Sequence, residues 1–149
     1  MANFTDILNK PAESIEKPKP RPPGTYLCIV NGPHKMKEVN DKPVVSISFK
    51  TMQAQDDVDQ ALLAESGGVG NTVVQDYFLQ TNDGNDNSWG LLQFLENHLG
   101  IEKAGKTLSQ MLAEAPGKQV LVNLKHEIYT DKRTNEPAMA VRVGNTAKV

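Results

Sequence analysis

The sequence predicts a mainly β chain with a helical insertion between its third and fourth strands. Three observations predict it. Residues 44–50 alternate cleanly, with Val45, Ile47 and Phe49 on one face and Ser46, Ser48 and Lys50 on the other. That is the period of a strand with one wet face. Residues 88–101 change period: Leu91, Leu92, Phe94, Leu95 and Leu99 recur at helical spacing. Apolar, β-branched runs bounded by turn residues lie on both sides of that helical segment.

The elements follow in order. Residues 1–23 read as a flexible arm. Phe4, Ile7 and Leu8 form one apolar face of a short turn. Pro11, Pro18, Pro20, Pro22 and Pro23 then favour an extended, semi-rigid tether, because proline fixes φ and removes a backbone donor. The folded domain is placed at residues 24–149. GTYLCIV is the first strand, ended by Asn31-Gly32-Pro33. HKMKEVNDKP reads as a polar, basic loop, and PVVSISFKTM as the second strand. QAQDDVDQALLAESGGVGN is an acidic connection with a helical turn at ALLAE. TVVQDYFLQ is the third strand. The helical segment has Asn87 or Ser88 to cap its start and Gly100 to end it. A shorter helix starts at a threonine cap, carries Leu108, Met111 and Leu112, and stops at Pro116-Gly117. KQVLVNLKHEIYT and EPAMAVRV are the fourth and fifth strands, with TDKRTNEP between them.

Five strands with helices between the third and fourth are the plan of an OB-fold-like Greek-key barrel. In that barrel the face of strands 2 and 3, framed by the 1–2 and 4–5 loops, takes oligonucleotides. The two most basic loops of this chain are the two that would frame it. The charge pattern agrees. Residues 17–50 carry seven cations against Glu38 and Asp41, whereas residues 51–116 carry Lys103 and Lys106 against ten anions. A net charge of −2 therefore permits a locally positive face.

Single strands are held by cations along the phosphates and by aromatic faces under the bases. The cationic candidates are Lys35, Lys37, Lys42, Lys50, Lys125, Lys132, Arg133 and Arg142. Tyr129, beside the basic hairpin tip, is the first stacking candidate and Tyr26 the next. Tyr77 and Phe78 are adjacent on a strand and point to opposite faces, so one of them stacks and the other packs. Trp89 is expected as a packing plug. Val45, Ile47, Phe49, Val120, Val122 and Val141 are the expected core.

Other chemistry finds no foothold. His34, His98 and His126 show no metal spacing, and one cysteine makes no zinc cluster. Cys28, in an apolar run, reads as a buried thiol. GGVGN lacks the lysine and hydroxyl of a phosphate loop, and no nucleophile elbow occurs. No catalytic residue, metal or cofactor is expected. No run of 18 apolar residues and no apolar leader occurs, so no membrane partner and a cytoplasmic location are expected.

GTYLCIV, KEVNDKPVVSISFK, VVQDYFL, LLQFLENHLGI and APGKQVLVNL with TDKRTNEP together resemble the small bacteriophage-encoded single-stranded-DNA-binding proteins, over roughly residues 22–145. The resemblance implies an OB-fold protein that coats single-stranded DNA during phage replication or recombination and is not an enzyme. It implies single-stranded DNA as the partner, with phage or host replication and recombination proteins and further copies of the chain beside it. One departure stands out. Many such proteins carry an acidic tail that recruits partners, whereas this sequence ends GNTAKV, so FTDIL and DDVDQALLAE are the candidates for that work. The competing reading is a non-enzymatic β-barrel module for protein–protein contact or phage structure.

Overall fold

The computed structural model describes residues 4–14 and 19–149. The expected arm falls partly outside these residues, as does the side chain of Ile7. Within the arm, Phe4–Leu8 form a short helix, α1, and Ala12–Ser14 a single 3₁₀ turn. The end of the arm is pinned to the domain: Arg21 Nε donates to Gly68 O at 3.0 Å, and His126 Nε2 lies 2.6 Å from Arg21 O.

Six strands build one antiparallel sheet: β1 (Gly24–Val30), β2 (Lys35–Val39), β3 (Lys42–Ala54), β4 (Thr72–Phe78), β5 (Gln119–Thr130) and β6 (Pro137–Ala147). Along one path the order is β2-β3-β1-β5-β6, and β4 lies along the other edge of β3. The long β3 makes this possible. Its first half pairs with β2 and its second half with β1, while β4 follows its opposite edge from Val44 to Lys50. A bulge opposite Leu27 and Cys28 bends the β1–β3 ladder, and another at Asn123 and Leu124 bends β5–β6. The sheet thus curls until β4 and β6 face each other across a seam. The architecture is barrel-like, with no ladder across that seam.

One expectation is corrected here. The polar segment after Pro33 is a strand, not a loop. Asn40 and Asp41 have φ of 51° and 64°, the left-handed pair that a tight hairpin turn needs, and they fold β2 back onto β3. β2 (KMKEV) has no buried apolar face because it is an edge strand with both faces largely in water.

The inward face of the sheet carries Tyr26, Cys28, Val45, Ile47, Phe49, Val73, Val120, Val122 and Leu124, all buried. Five of the six expected core residues are buried, and Val141 is half-buried against them. Helices pack against the inner face of this curled sheet. α2 (Gln60–Glu65) is capped by Asp59, whose carboxylate accepts from Ala61 and Leu62, and it contributes Leu63. α3 (Trp89–Gln93) runs into one π turn, Phe94–His98, where Leu99 N–H bonds Phe94 O at 3.1 Å. Leu91, Phe94, Leu95 and Leu99 face the core, and Gly100 (φ 74°) ends the segment. Ser88 starts it without a side-chain cap, because its hydroxyl donates to Asp86 instead. α4 (Leu108–Glu114) has the expected threonine cap, completed by Gln110 into a capping box. Phe49 and Phe94 meet edge to face at 5.7 Å, and Tyr77 lies 5.4 Å from Phe94. Each fully buried ring of this kind contributes about 1.5–3 kcal/mol.

Trp89 is not a plug: it is 64% exposed. At 100° per residue it stands about 200° from Leu91, on the opposite side of the helix.

Candidate functional site

The outer face of β2, β3 and β4 is built by ladder register. Lys35 pairs with Ser46, and Ser46 with Asp76. The next row is Lys37, Val44 and Phe78. In the other direction, Ser48 pairs with Val74 and Lys50 with Thr72. Because strand side chains alternate, all of these lie on the side away from the inner core, where Val44 (1% exposed) and Ser46 are covered by their neighbours. Two depressions share Val74 and make one groove over this face. One, of about 340 Å³, is lined by Asn31, Pro33, Lys35, Ser46, Ser48 and Thr72 with Val74. The other, of about 490 Å³, runs from Lys37 and Asp76 across the seam to Arg142 and Val143. Val74, at the centre, is 55% exposed.

The groove has one anion in its middle. Asp76 Oδ2 meets Lys37 Nζ at 3.0 Å, and Oδ1 accepts from Ser46 Oγ at 2.5 Å. Partial burial alone would raise its pKa. The Ser46 and Lys37 hydrogen bonds, with the charges of Lys37 and Arg142, outweigh that and hold it below the usual carboxylate range. Asp76 is therefore ionised at neutral pH, and it orders Lys37 while cancelling part of its charge.

β5 and β6 extend the same face. Arg142 pairs across the ladder with Lys125, and Tyr129 lies four residues on, so these three share the outer side of the hairpin. Arg142 Nε also meets Glu127 Oε2 at 3.4 Å. Tyr129 is 43% exposed.

The structure thus gathers Lys35, Lys37 and Arg142 around Asp76, with Lys50 and Lys125 at the margins. It separates others. Lys42 belongs to β3 and sits 5.0 Å over the Phe78 ring while donating to Asn82. Lys132 and Arg133 stand at the hairpin tip, seven and eight residues beyond Lys125. That is about 20 Å or more along the strand. Among the described residues, the tip's hydrogen bonds and ion pair stay within residues 131–136.

The aromatic assignments divide. Tyr26 is not a stacking residue: it is fully buried and donates its hydroxyl to Pro22 O at 2.7 Å. Tyr77 packs inward on Phe94, and burial pushes its phenol pKa up. Phe78 takes the outer face, beneath Lys42. Sequence periodicity could not rank that pair. The register of Tyr77 against Val45 decides it.

The acidic connection lies at the far end of β3. Asp57 accepts from the Thr25 N–H and hydroxyl at 2.9 Å each, and Val58 packs under Gly24. That anchor follows Ala54, eight residues from Ser46, or roughly 25 Å along the strand. The segment does not cover the centre of the groove.

Among the described residues, no group of histidine, cysteine or acidic side chains is placed to hold a metal ion. No described helix is long and apolar enough to cross a membrane. No protein-family model matches this chain, and no curated protein matches it.

Proposed function

We propose that this chain binds single-stranded DNA along the outer groove of β2, β3 and β4, largely without regard to sequence, on a barrel of OB type. The observation that carries the reading is the groove itself. It is an open, shallow channel with Lys35, Lys37 and Arg142 along its course and small or hydroxylated side chains on its floor. Such a channel takes a flexible polyanion: the cations meet phosphates, and Ser46, Ser48 and Thr72 leave room for sugars and bases.

The strand plan supports the OB-type assignment. β1, β3, β4, β5 and β6 stand as its five strands, the helical segment falls between the third and fourth, and β2 is an extra strand within the first connection. The groove then coincides with the strand 2–3 face that OB-folds use. Tyr129 serves as the base platform nearest Arg142, and Lys125 and Lys50 extend the phosphate path at either end. Lys132 and Arg133 act on a longer strand, beyond the groove. The reaction class is binding without chemistry. Coating of single strands in phage replication or recombination, with self-association, is the role the sequence resemblance attaches to such a groove.

A second reading, a module for protein contact, has one observation in its favour. Ile128 (72% exposed) and Met139 lie opposite each other on the projecting hairpin, on the face away from Tyr129.

Fluorescence anisotropy separates the two. Labelled oligo-dT and a matched duplex are titrated at two salt concentrations with wild type, Lys37→Gln/Arg142→Gln and Lys132→Glu/Arg133→Glu. Single-strand binding that weakens with salt and with Lys37→Gln/Arg142→Gln supports the groove. A loss confined to the tip variant moves the site to the hairpin end. No binding at low salt removes the nucleic-acid reading and leaves the protein-contact module.

A further inference from the structure

Behind the groove, at the seam between β4 and β6, lies a cavity of about 240 Å³ that the phosphate path does not use. Gln75 and Val143 line both the cavity and the groove. The rings of Tyr77, Phe94 and His98 form its aromatic wall, with Phe94 and His98 edge to face at 6.1 Å. Phe94 and His98 open and close the π turn, a distortion found disproportionately at functional sites. Thr146 is already engaged, by His98 Nδ1 at 2.6 Å and by the Tyr77 phenol. Gln93 and Asn145 are exposed at its rim, and no hydrogen bond among the described residues occupies their side-chain amides, so both stay open to a ligand or to water.

The lining selects its occupant. No aspartate, glutamate, lysine or arginine contributes to it, so it suits neither a phosphate nor a metal ion. Its volume is below that of pockets for drug-sized ligands, which begin at about 300 Å³. Aromatic rings together with free amides, each both donor and acceptor, match a neutral, flat, heteroaromatic group with hydrogen-bonding edges. We propose that this cavity is a nucleobase pocket, into which one base of the bound strand turns through the β4–β6 seam. The inference rests on the groove reading for the strand but makes its own prediction: one position along the strand is read by base identity.

The test uses the full chain and a variant that fills the pocket. Gly90 lines the cavity in helical backbone, and a Cβ built there meets nothing within 4 Å. Gly90→Leu therefore adds bulk at the cavity's lining without a clash while favouring the helix. Amide NMR spectra are titrated with the four deoxynucleosides, which carry no phosphate and so leave the groove cations aside. Shifts clustered at Gly90, Gln93, Gly144 and Asn145 for one or two nucleosides, and lost in Gly90→Leu, support the pocket. Their absence up to the solubility limit overturns it. In parallel, dT, dC and dA homopolymers are compared by anisotropy. The expected spread in affinity between best and worst base is about fivefold or more. In Gly90→Leu it falls toward one, with the salt dependence unchanged. A spread that survives Gly90→Leu, or equal affinities in wild type, overturns base reading and leaves the groove in place. Nucleoside shifts without any homopolymer binding remove the groove reading and leave the pocket.

Discussion

Asp76 is the residue on which the groove turns. Its carboxylate opposes phosphate, yet it holds Lys37 and faces Arg142. Replacing it with asparagine keeps the shape, still accepts from Ser46, releases Lys37 and removes a negative charge near Arg142. Under the proposed function, Asp76→Asn raises oligo-dT affinity by about fivefold, the equivalent of about 1 kcal/mol; an unchanged or weaker affinity would mean that ordering Lys37 matters more than its net charge. The same residue sets a pH dependence. Its folded-state pKa lies below the ordinary value of 3.8, so the stability it adds is present above that value. The contribution is lost as pH falls through the folded-state pKa. Acid unfolding followed by circular dichroism is thus expected to be less steep in Asp76→Asn below pH 4 than in wild type. Cys28 makes the opposite case, a group that does nothing. It is fully buried, and burial pushes its thiol pKa up to about 12. At pH 8 only about one molecule in 10⁴ carries the thiolate, so a thiol reagent is expected to label Cys28 at the rate of unfolding. Rapid labelling of the native chain would contradict the packing of β1. Of these two residues, only Cys28 was legible from its neighbours. Asp76 becomes central through the β3–β4 register, which no local pattern contains.

Elements that bury one face announced themselves. Val45, Ile47 and Phe49 alternate because β3 has one dry side, and Leu91, Phe94, Leu95 and Leu99 recur because α3 and its π turn do too. β2 was not legible because it buries neither face. Its signal was in the turn, where Asn40 and Asp41 both tolerate positive φ. That turn yields a prediction. Asparagine followed by glycine suits this geometry best, and Asp41 (φ 64°) carries a cost that glycine does not. Asp41→Gly is expected to stabilise the fold by about 0.5–1 kcal/mol, seen as a rise in Tm of about 1–4 °C. Asp41→Val, with a branched side chain held at positive φ, is expected to lower it. If both variants melt with wild type, the hairpin is not part of the cooperative unit. The helical segment yields another. Phe94 is 1% exposed and touches Phe49, Tyr77 and His98. Phe94→Ala is expected to cost about 3–5 kcal/mol in urea unfolding, which is large against the marginal stability of most domains.

At the scale of the whole molecule, the segregation of charge along the sequence becomes segregation in space, but not as the sequence order suggested. The acidic connection is drawn to the β1 end by Asp57 and Thr25 and by the cap at Asp59. The basic segment after Pro33 spreads along an edge strand, and the basic hairpin tip stands apart from the groove. Lys35 and Lys37 are neighbours on β2, but Lys37 and Arg142 converge only because β4 and β6 meet at the seam. Under the proposed function, that convergence sets how binding depends on salt. With Lys35, Lys37, Lys50, Lys125 and Arg142 on one face, and Asp76 and Glu127 offsetting two of them, the proposed path neutralises about three to five phosphates. Each releases counterions, so the logarithm of affinity for a single strand falls with the logarithm of salt at a slope of about −2 to −3.5. Arg142→Gln frees Glu127 as it removes a cation, and is expected to flatten the slope by about 1. Lys132→Glu/Arg133→Glu leaves the slope for a strand short enough to lie within the groove and reduces it for a longer one. Anisotropy titrations of short and long oligo-dT across a salt series read both numbers. Equal loss on short and long strands would place the hairpin tip over the groove and put the path of the DNA along β5 and β6 instead.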